Sequence, residues 1–292
     1  MTSREDNPFL PGYDTADDSR LVARAVDGSK DALRELVARH QPFVYNLSLK
    51  MCGRPEDAED LTQEVFVKVI TSLQTFRAES AFRTWLYRLT VNHLLKSRRR
   101  GMEVLVDDFE TYFATIAAAP DESLSPHELR DANRTVEELR IRCTTGMLMC
   151  LDREQRITYV LGELFGVDHQ LGGEILEISP GNFRVRLSRA RKDLYSWMNQ
   201  RCGLVNLANP CRCHKKTRSY VRSGAVDPEH LVFNTAYVDR IEALTRSESS
   251  QVIDTVEQLH QRVFLEHPLQ VSRAKVVDEI LQNDTLRTFF SI

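Results

Sequence analysis

The chain has 292 residues, 42% hydrophobic and 28% charged, with a formal net charge of −3. That length suits two or three small domains with real cores, and the near-neutral balance excludes a globally basic polyanion binder. No apolar run approaches the ~20 residues of a membrane span, and the polar start MTSREDNPFLPGYDTADDSR lacks an apolar signal core. A cytoplasmic chain without membrane insertion is expected, its six cysteines mostly reduced.

Helical patterning runs almost throughout and period-two alternation is absent, so the expected fold is all-α. Residues 1–17 read as a flexible tail and 18–100 as a first helical block. Residues 101–126 read as an acidic linker, 127–201 as a second helical block, and 202–292 as a helical extension opening on a Cys/His turn. Charge is segregated: Lys96, Arg98, Arg99 and Arg100 form one basic cluster, whereas residues 103–128 hold seven Asp or Glu and no Lys or Arg. Such segregation creates local basic faces without general stickiness.

In the first block, RPEDAEDLTQEVFVKVITSL (54–73) spaces Ala58, Leu61, Val65, Val69 and Leu73 as one apolar helical face. Pro55 and the early acids suit its N-terminus. Asp57, Asp60 and Glu64 share the exposed side with Gln63 close by; by geometry alone this is an ordinary solvated acidic face. In the following FRAESAFRTWLYRLTVNHLLKSRRR (76–100), Phe82, Trp85, Leu86, Leu89 and His93 are expected to pack inward, His93 as a satisfied core residue rather than a metal ligand. The loop 76–80 offers a ring, a cation, a carboxylate and a hydroxyl, a set able to grip one unstacked base. The basic residues that end the next helix could follow a phosphate backbone.

In the second block, LDREQR (151–156) opens a helix, with Asp152 and Gln155 placed as in a capping box. DHQLGGEIL (168–176) carries Gly172 and Gly173, each costing about 1 kcal/mol relative to Ala in a helix interior. Either that helix is soft, or the next one approaches its backbone closely. ISPGNFRVRLSRARKDL (178–194) reads as the second helix of a helix-turn-helix, capped by Ser179, with Phe183, Leu187, Ala190 and Leu194 buried. Arg184, Val185, Ser188, Arg189 and Lys192 then face outward together, and no acid interrupts Pro180 to Lys192. Such a face suits a DNA major groove, where Arg can donate two bonds to a guanine edge; the plainer alternative is a solvated basic face.

Cys202, Cys211, Cys213 and His214 are suitable zinc ligands by chemistry. Their C-x-C-H spacing is tight, so free or buried thiols are the favoured alternative; Cys143 and Cys150 fit helix core.

Taken together, DAEDLTQEVFVKV (57–69), FRAESAFRTWLYRLTVN (76–92) and LDREQR…ISPGNFRVRLSRARKDL (151–194) resemble the extracytoplasmic-function (ECF) sigma factors of bacterial RNA polymerase, in order and spacing over residues 19–201. The resemblance implies a non-enzymatic promoter-recognition subunit. Asp57, Asp60, Gln63 and Glu64 would dock on the clamp coiled coil of core polymerase. Phe76, Arg77, Glu79, Ser80, Asn92, Lys96, Arg98 and Arg99 would serve the −10 element, Phe76 and Asn92 flanking the pocket for a flipped base. Asn182, Arg184, Val185, Arg186, Ser188, Arg189 and Lys192 would read the −35 duplex while their block packs on the polymerase flap. An anti-sigma factor is a further expected partner, and regulation a guess for the extension. A linker of about 25 residues reaches at most ~85 Å, enough for elements about 17 base pairs, or roughly 58 Å, apart.

Two other classes remain. A conventional helix-turn-helix regulator explains 178–194 but leaves the 76–80 loop and the acidic helix unexplained. A metal- or redox-dependent enzyme would need more than the cysteines, which no paired carboxylates or phosphate-binding glycine loop accompany.

Overall fold

The computed structural model describes residues 8–9, 13–123, 125 and 132–232. The expectations for 1–7, for the linker boundary at 126–131 and for 233–292 of the extension lie outside the described residues. Among the described residues there are helices and no strand. They are α1 (Thr15–Val26), α2 (Lys30–Cys52), α3 (Pro55–Ser72), α4 (Phe82–Lys96), α5 (Phe109–Ala118), α6 (Asn133–Met149), α7 (Arg153–Tyr159), α8 (His169–Leu176), α9 (Pro180–Arg201) and α10 (Cys213–Arg222). None of them is long and apolar enough to cross a membrane.

The described residues fall into two compact units. The first joins 8–100 to 153–188. Local chemistry sets its helix ends: the Asp14 side chain accepts from the amides of Ala16 and Asp17 at the start of α1, Ser29 from Ala32 at the start of α2. Gly53 closes α2 at φ 73°, a left-handed position that favours glycine, and Pro55 opens α3. The core is built from Leu33, Leu36, Val44, Leu47, Leu61, Val65, Phe66, Val69 and Leu86, all buried. α7 runs into a π-helical turn at Val160–Leu164 before the α8–α9 pair.

The N-terminal segment is not a free tail where it is described. Phe9 is 3% exposed, its ring centroid 4.5 Å from Tyr87, 5.8 Å from Phe43 and 5.4 Å from Phe165. Arg83 donates to the Pro8 carbonyl, and Tyr13 donates to Asp18 at 2.9 Å. A single aromatic side chain carries enough apolar area to anchor an otherwise polar stretch, and the polarity of the segment concealed it.

The second unit joins 101–152 to 189–232. Here the expected linker carries a helix. Asp108 caps α5 by accepting from Thr111, and Phe109, Phe113 and Ile116 fall at i, i+4 and i+7 and are buried. Phe109 and Phe113 each stack on Trp197 at 5.8 Å. Tyr112 donates to the Cys143 carbonyl at 2.9 Å. The Glu122 amide donates to the Lys215 carbonyl at 2.7 Å, and Lys216 pairs with Asp121 at 3.0 Å. The acidic composition of this stretch masked its apolar period. The described part of the extension packs as α10 against α6, and the Val232 amide donates to Glu138.

Candidate nucleic-acid interface

On α3, Ala58, Leu61, Val65 and Val69 are buried as their spacing requires, with Leu73 just beyond. That turns Asp60 outward and leaves Gln63 and Glu64 half-buried. Glu64 does not stand in solvent: one oxygen accepts from Arg100 at 2.8 Å and the other lies 2.9 Å from His93 Nε2. Lys68 Nζ is 2.6 Å from the other ring nitrogen of His93. A neutral imidazole satisfies both contacts, with Nε2–H donating and Nδ1 accepting. Burial, then the Lys68 charge, pushes His93 below its ordinary range. Burial works against the charge on Glu64, but Arg100 and His93 outweigh it and hold the carboxyl low. Asp60, Gln63, Glu64, Val67, Lys68 and His93 line one shallow depression. Asp57 sits a turn away, paired with Arg54 at 3.3 Å.

The inner face of α4 is Phe82, Leu86, Tyr87, Val91 and Leu94. Trp85, Leu89 and His93, expected inside, are half-buried. Trp85 instead faces the loop before the helix: Phe76 lies 5.5 Å from Trp85 and 5.7 Å from Phe82, ring to ring. Ala78 turns that loop at φ 55°, left-handed for a residue with a Cβ. Arg77 and Glu79 are exposed, Ser80 and Asn92 half-buried. At the end of α4 and just beyond it, Lys96, Arg98 and Arg99 are exposed, whereas Arg100 turns back to Glu64. Sequence reasoning missed Trp85 as a ring beside Phe76, and missed the Lys68–His93–Glu64–Arg100 cluster. Neither pairing has a local spacing signal, since each links residues on different elements.

The α8–α9 pair is a helix-turn-helix. Asp168 caps α8, and Ser179 Oγ accepts from the Asn182 amide at 3.1 Å to start α9. Gly172 and Gly173 mark a close approach. A Cβ at Gly172 would stand 2.4 Å from the Phe183 ring, and one at Gly173 would stand 2.8 Å from the Ile178 carbonyl. With Phe183, Ala190 and Leu194 buried and Leu187, expected inside, only half-buried, α9 exposes Asn182, Arg184, Val185, Ser188, Arg189 and Lys192. Val185 is 51% exposed, unusual for an apolar residue on a basic face. Arg186 is turned aside and paired with Glu154 at 2.9 Å.

At the Cys/His turn, zinc is the less favoured of the two readings that the sequence leaves open. Among the described residues, no group of three or more His, Cys, Asp or Glu is placed to hold a metal ion, so Cys202, Cys211, Cys213 and His214 do not form a ligand set. Cys213 and His214 are consecutive on α10, and successive helical side chains diverge by about 100°. Burial pushes the Cys213 thiol up to about 12 and raises Cys202 and Cys211 as well.

Residues 36–103 match the family model for sigma-70 region 2. The chain is 32% identical over 185 residues to the ECF RNA polymerase sigma-E factor of Haemophilus influenzae, covering 60% of this chain and 92% of that protein. It is 32% identical over 179 residues to the ECF RNA polymerase sigma-E factor of Escherichia coli, covering 60% and 91%. It is 33% identical over 168 residues to the ECF RNA polymerase sigma factor SigE of Mycolicibacterium smegmatis, spanning 60% of that protein. Among solved structures, that of CnrH in complex with the cytosolic domain of CnrY aligns with a TM-score of 0.45 at 26% identity, over 63% of this chain and 98% of that one.

Proposed function

Because this chain belongs to the extracytoplasmic-function sigma factors of RNA polymerase, we propose that its three exposed surfaces divide the work of promoter recognition. Sigma factors are regulatory proteins that bind core RNA polymerase and promoter DNA and direct promoter-specific initiation. The α3 face, with Asp57, Asp60, Gln63 and Glu64, docks on the clamp coiled coil. Arg100 and His93 keep Glu64 ionised and aimed, so the docking face and the end of α4 act as one piece. The loop 76–80 captures a flipped base of the −10 element. Phe76 provides a stacking surface backed by Trp85 and Phe82, Asn92 an amide for a base edge, and Arg77, Glu79 and Ser80 the loop's polar contacts. Lys96, Arg98 and Arg99 follow the adjoining phosphates.

α9 enters the −35 major groove. Arg184 and Arg189 suit guanine edges, Val185 suits a thymine methyl, and Asn182, Ser188 and Lys192 suit the flanking base edges and phosphates. Arg186 contributes less, since Glu154 neutralises it. The same block packs on the flap. The extension tunes activity from its seat on α6, and an anti-sigma factor is a further partner.

The observation that carries this reading is one molecule holding both a basic helix-turn-helix and an aromatic, polar loop beside a buried-core helix. Duplex recognition alone explains only the first. The test compares polymerase holoenzymes on two probes, a premelted −10 fork and a −35 duplex. Phe76→Ala and Asn92→Ala should weaken the first and spare the second. Wild-type behaviour of both variants on both probes would remove the pocket from the account.

A further inference from the structure

In the second unit, α6 packs against both α5 and α10, yet the three helices leave a cavity of about 260 Å³ among them. Val106, Ile116 and Leu139 line it and are buried, so the hollow reaches the core of the unit. Leu105, 82% exposed, stands at its mouth. No residue assigned above to polymerase or DNA lines it. Concave, mostly apolar hollows with a few polar groups are where proteins take small molecules.

The polar groups of the walls are nearly all spent within the chain. Arg142 pairs with Glu138 at 2.8 Å. Lys216 pairs with Asp121 at 3.0 Å and donates to the carbonyls of Ala117 and Ala119. Tyr112 donates to the Cys143 carbonyl, Thr111 to Asp108, and Thr115 to the Thr111 carbonyl. Asp107 is exposed at the rim. Three thiols also face the hollow. Burial raises Cys211, pushes Cys213 up to about 12 and drives Cys143 well above the usual thiol range. Protonated thiols pack as small apolar groups. The Tyr220 hydroxyl is left over. It has no hydrogen-bond partner among the described residues, and burial pushes it up to about 12, so it stays a neutral donor.

Size and chemistry together select the occupant. A dry apolar cavity of about 150 Å³ takes a benzene molecule, so this one has room for roughly ten non-hydrogen atoms, or two fused rings. An ion would shed its hydration and find no unspent counter-charge. A helix, about 10 Å across with its side chains, is too wide to enter. We propose that the cavity binds a small, uncharged, ring-containing molecule whose single hydroxyl or carbonyl bonds Tyr220 while its rings lie against the apolar walls and thiols. The ligand bridges α5, α6 and α10, and so ties the described part of the extension to the rest of its unit.

The test titrates the full chain with 2-naphthol by calorimetry and by thermal melting. One molecule should bind per chain and raise the melting midpoint. 2-Naphthoate, with the same rings and a negative charge, should bind at least about tenfold more weakly. Tyr220→Phe should weaken 2-naphthol about fivefold, the worth of one hydrogen bond, and leave naphthalene unchanged. Ala225→Trp, at the exposed rim, should exclude both. On binding, amide hydrogen exchange should slow in α5, α6 and α10. Should either variant fail to fold, the contrast of 2-naphthol with 2-naphthoate and the exchange map on the unaltered chain decide. Absence of saturable binding overturns the proposal, and is the result expected if residues 233–292 themselves fill the cavity. Equal binding of 2-naphthoate, or slowed exchange confined to other helices, overturns it as well.

Discussion

Replacing Gly172 by Ala sets two effects of known size against each other. On helix propensity alone, the substitution should stabilise α8 by about 1 kcal/mol. In the structure, the added methyl would stand 2.4 Å from the Phe183 ring, with two further ring atoms at 2.5 and 2.8 Å. Phe183 is 1% exposed. Overpacking of a filled core costs typically about 1–3 kcal/mol, so after the propensity gain the net loss is up to about 2 kcal/mol. Gly181 provides the internal control. It lies in the first turn of α9, and a Cβ there would meet only Ser179 Oγ at 3.9 Å. Gly181→Ala should be neutral or stabilise by up to about 1 kcal/mol. Thermal and denaturant melts of both variants, followed by far-ultraviolet circular dichroism, read the difference directly. Binding of −35 duplex should fall for Gly172→Ala, because the recognition helix is displaced at its first buried turn. A Gly172→Ala protein that melts at or above wild type would refute the close approach, and the soft-helix reading would stand in its place.

Other outcomes follow from the remaining surfaces. Asp60→Arg combined with Gln63→Ala should weaken holoenzyme assembly with helicity unchanged, measured by equilibrium binding to core polymerase; unchanged affinity sinks the docking face. Arg184→Ala and Arg189→Ala should each cost roughly 1–3 kcal/mol on a cognate −35 duplex and relax specificity, whereas Arg186→Ala should cost less. Lys192→Ala should instead weaken all sequences alike and make the salt slope shallower by about 1. Acid should loosen the α3–α4 packing. His93 takes up its proton in the folded chain below the ordinary value of 6.5, so the stability linked to it falls as pH drops below 6.5. Glu64, held below 4.5, adds a second loss as pH falls below 4.5 through its lowered value. His93→Gln should abolish the first loss and leave a smaller second one, since Arg100 alone then holds Glu64 low, in denaturation curves taken from pH 7.5 to below the lowered Glu64 value.

The local signals of helices read well in advance. Ser179, Pro55 and the buried stripes of α3 and α9 are set by residues within a few positions of each other, and spacing is enough to place them. What could not be read depends on residues far apart in the chain. Phe9 is buried by Phe43, Tyr87 and Phe165, none of them near it in sequence. α5 forms because Phe109 and Phe113 have Trp197 to stack on, while its surroundings read as an acidic tether. Glu64 was recognisable as part of an exposed acidic face, but its grip by Arg100 and His93 was not. The double glycine of α8 left two outcomes open, and only the position of Phe183 decides between them. At the Cys/His turn, suitable ligand chemistry in sequence is not matched by a group of three or more donors among the described residues.

Transcription in vitro with purified core polymerase and the full chain tests the central claim most directly, with start sites mapped on genomic promoter fragments. Initiation should depend on the chain and arise at discrete sites preceded by a common pair of elements about 17 base pairs apart. It should be lost with Arg184→Ala and Phe76→Ala combined. Initiation that is the same with and without the chain would contradict the account.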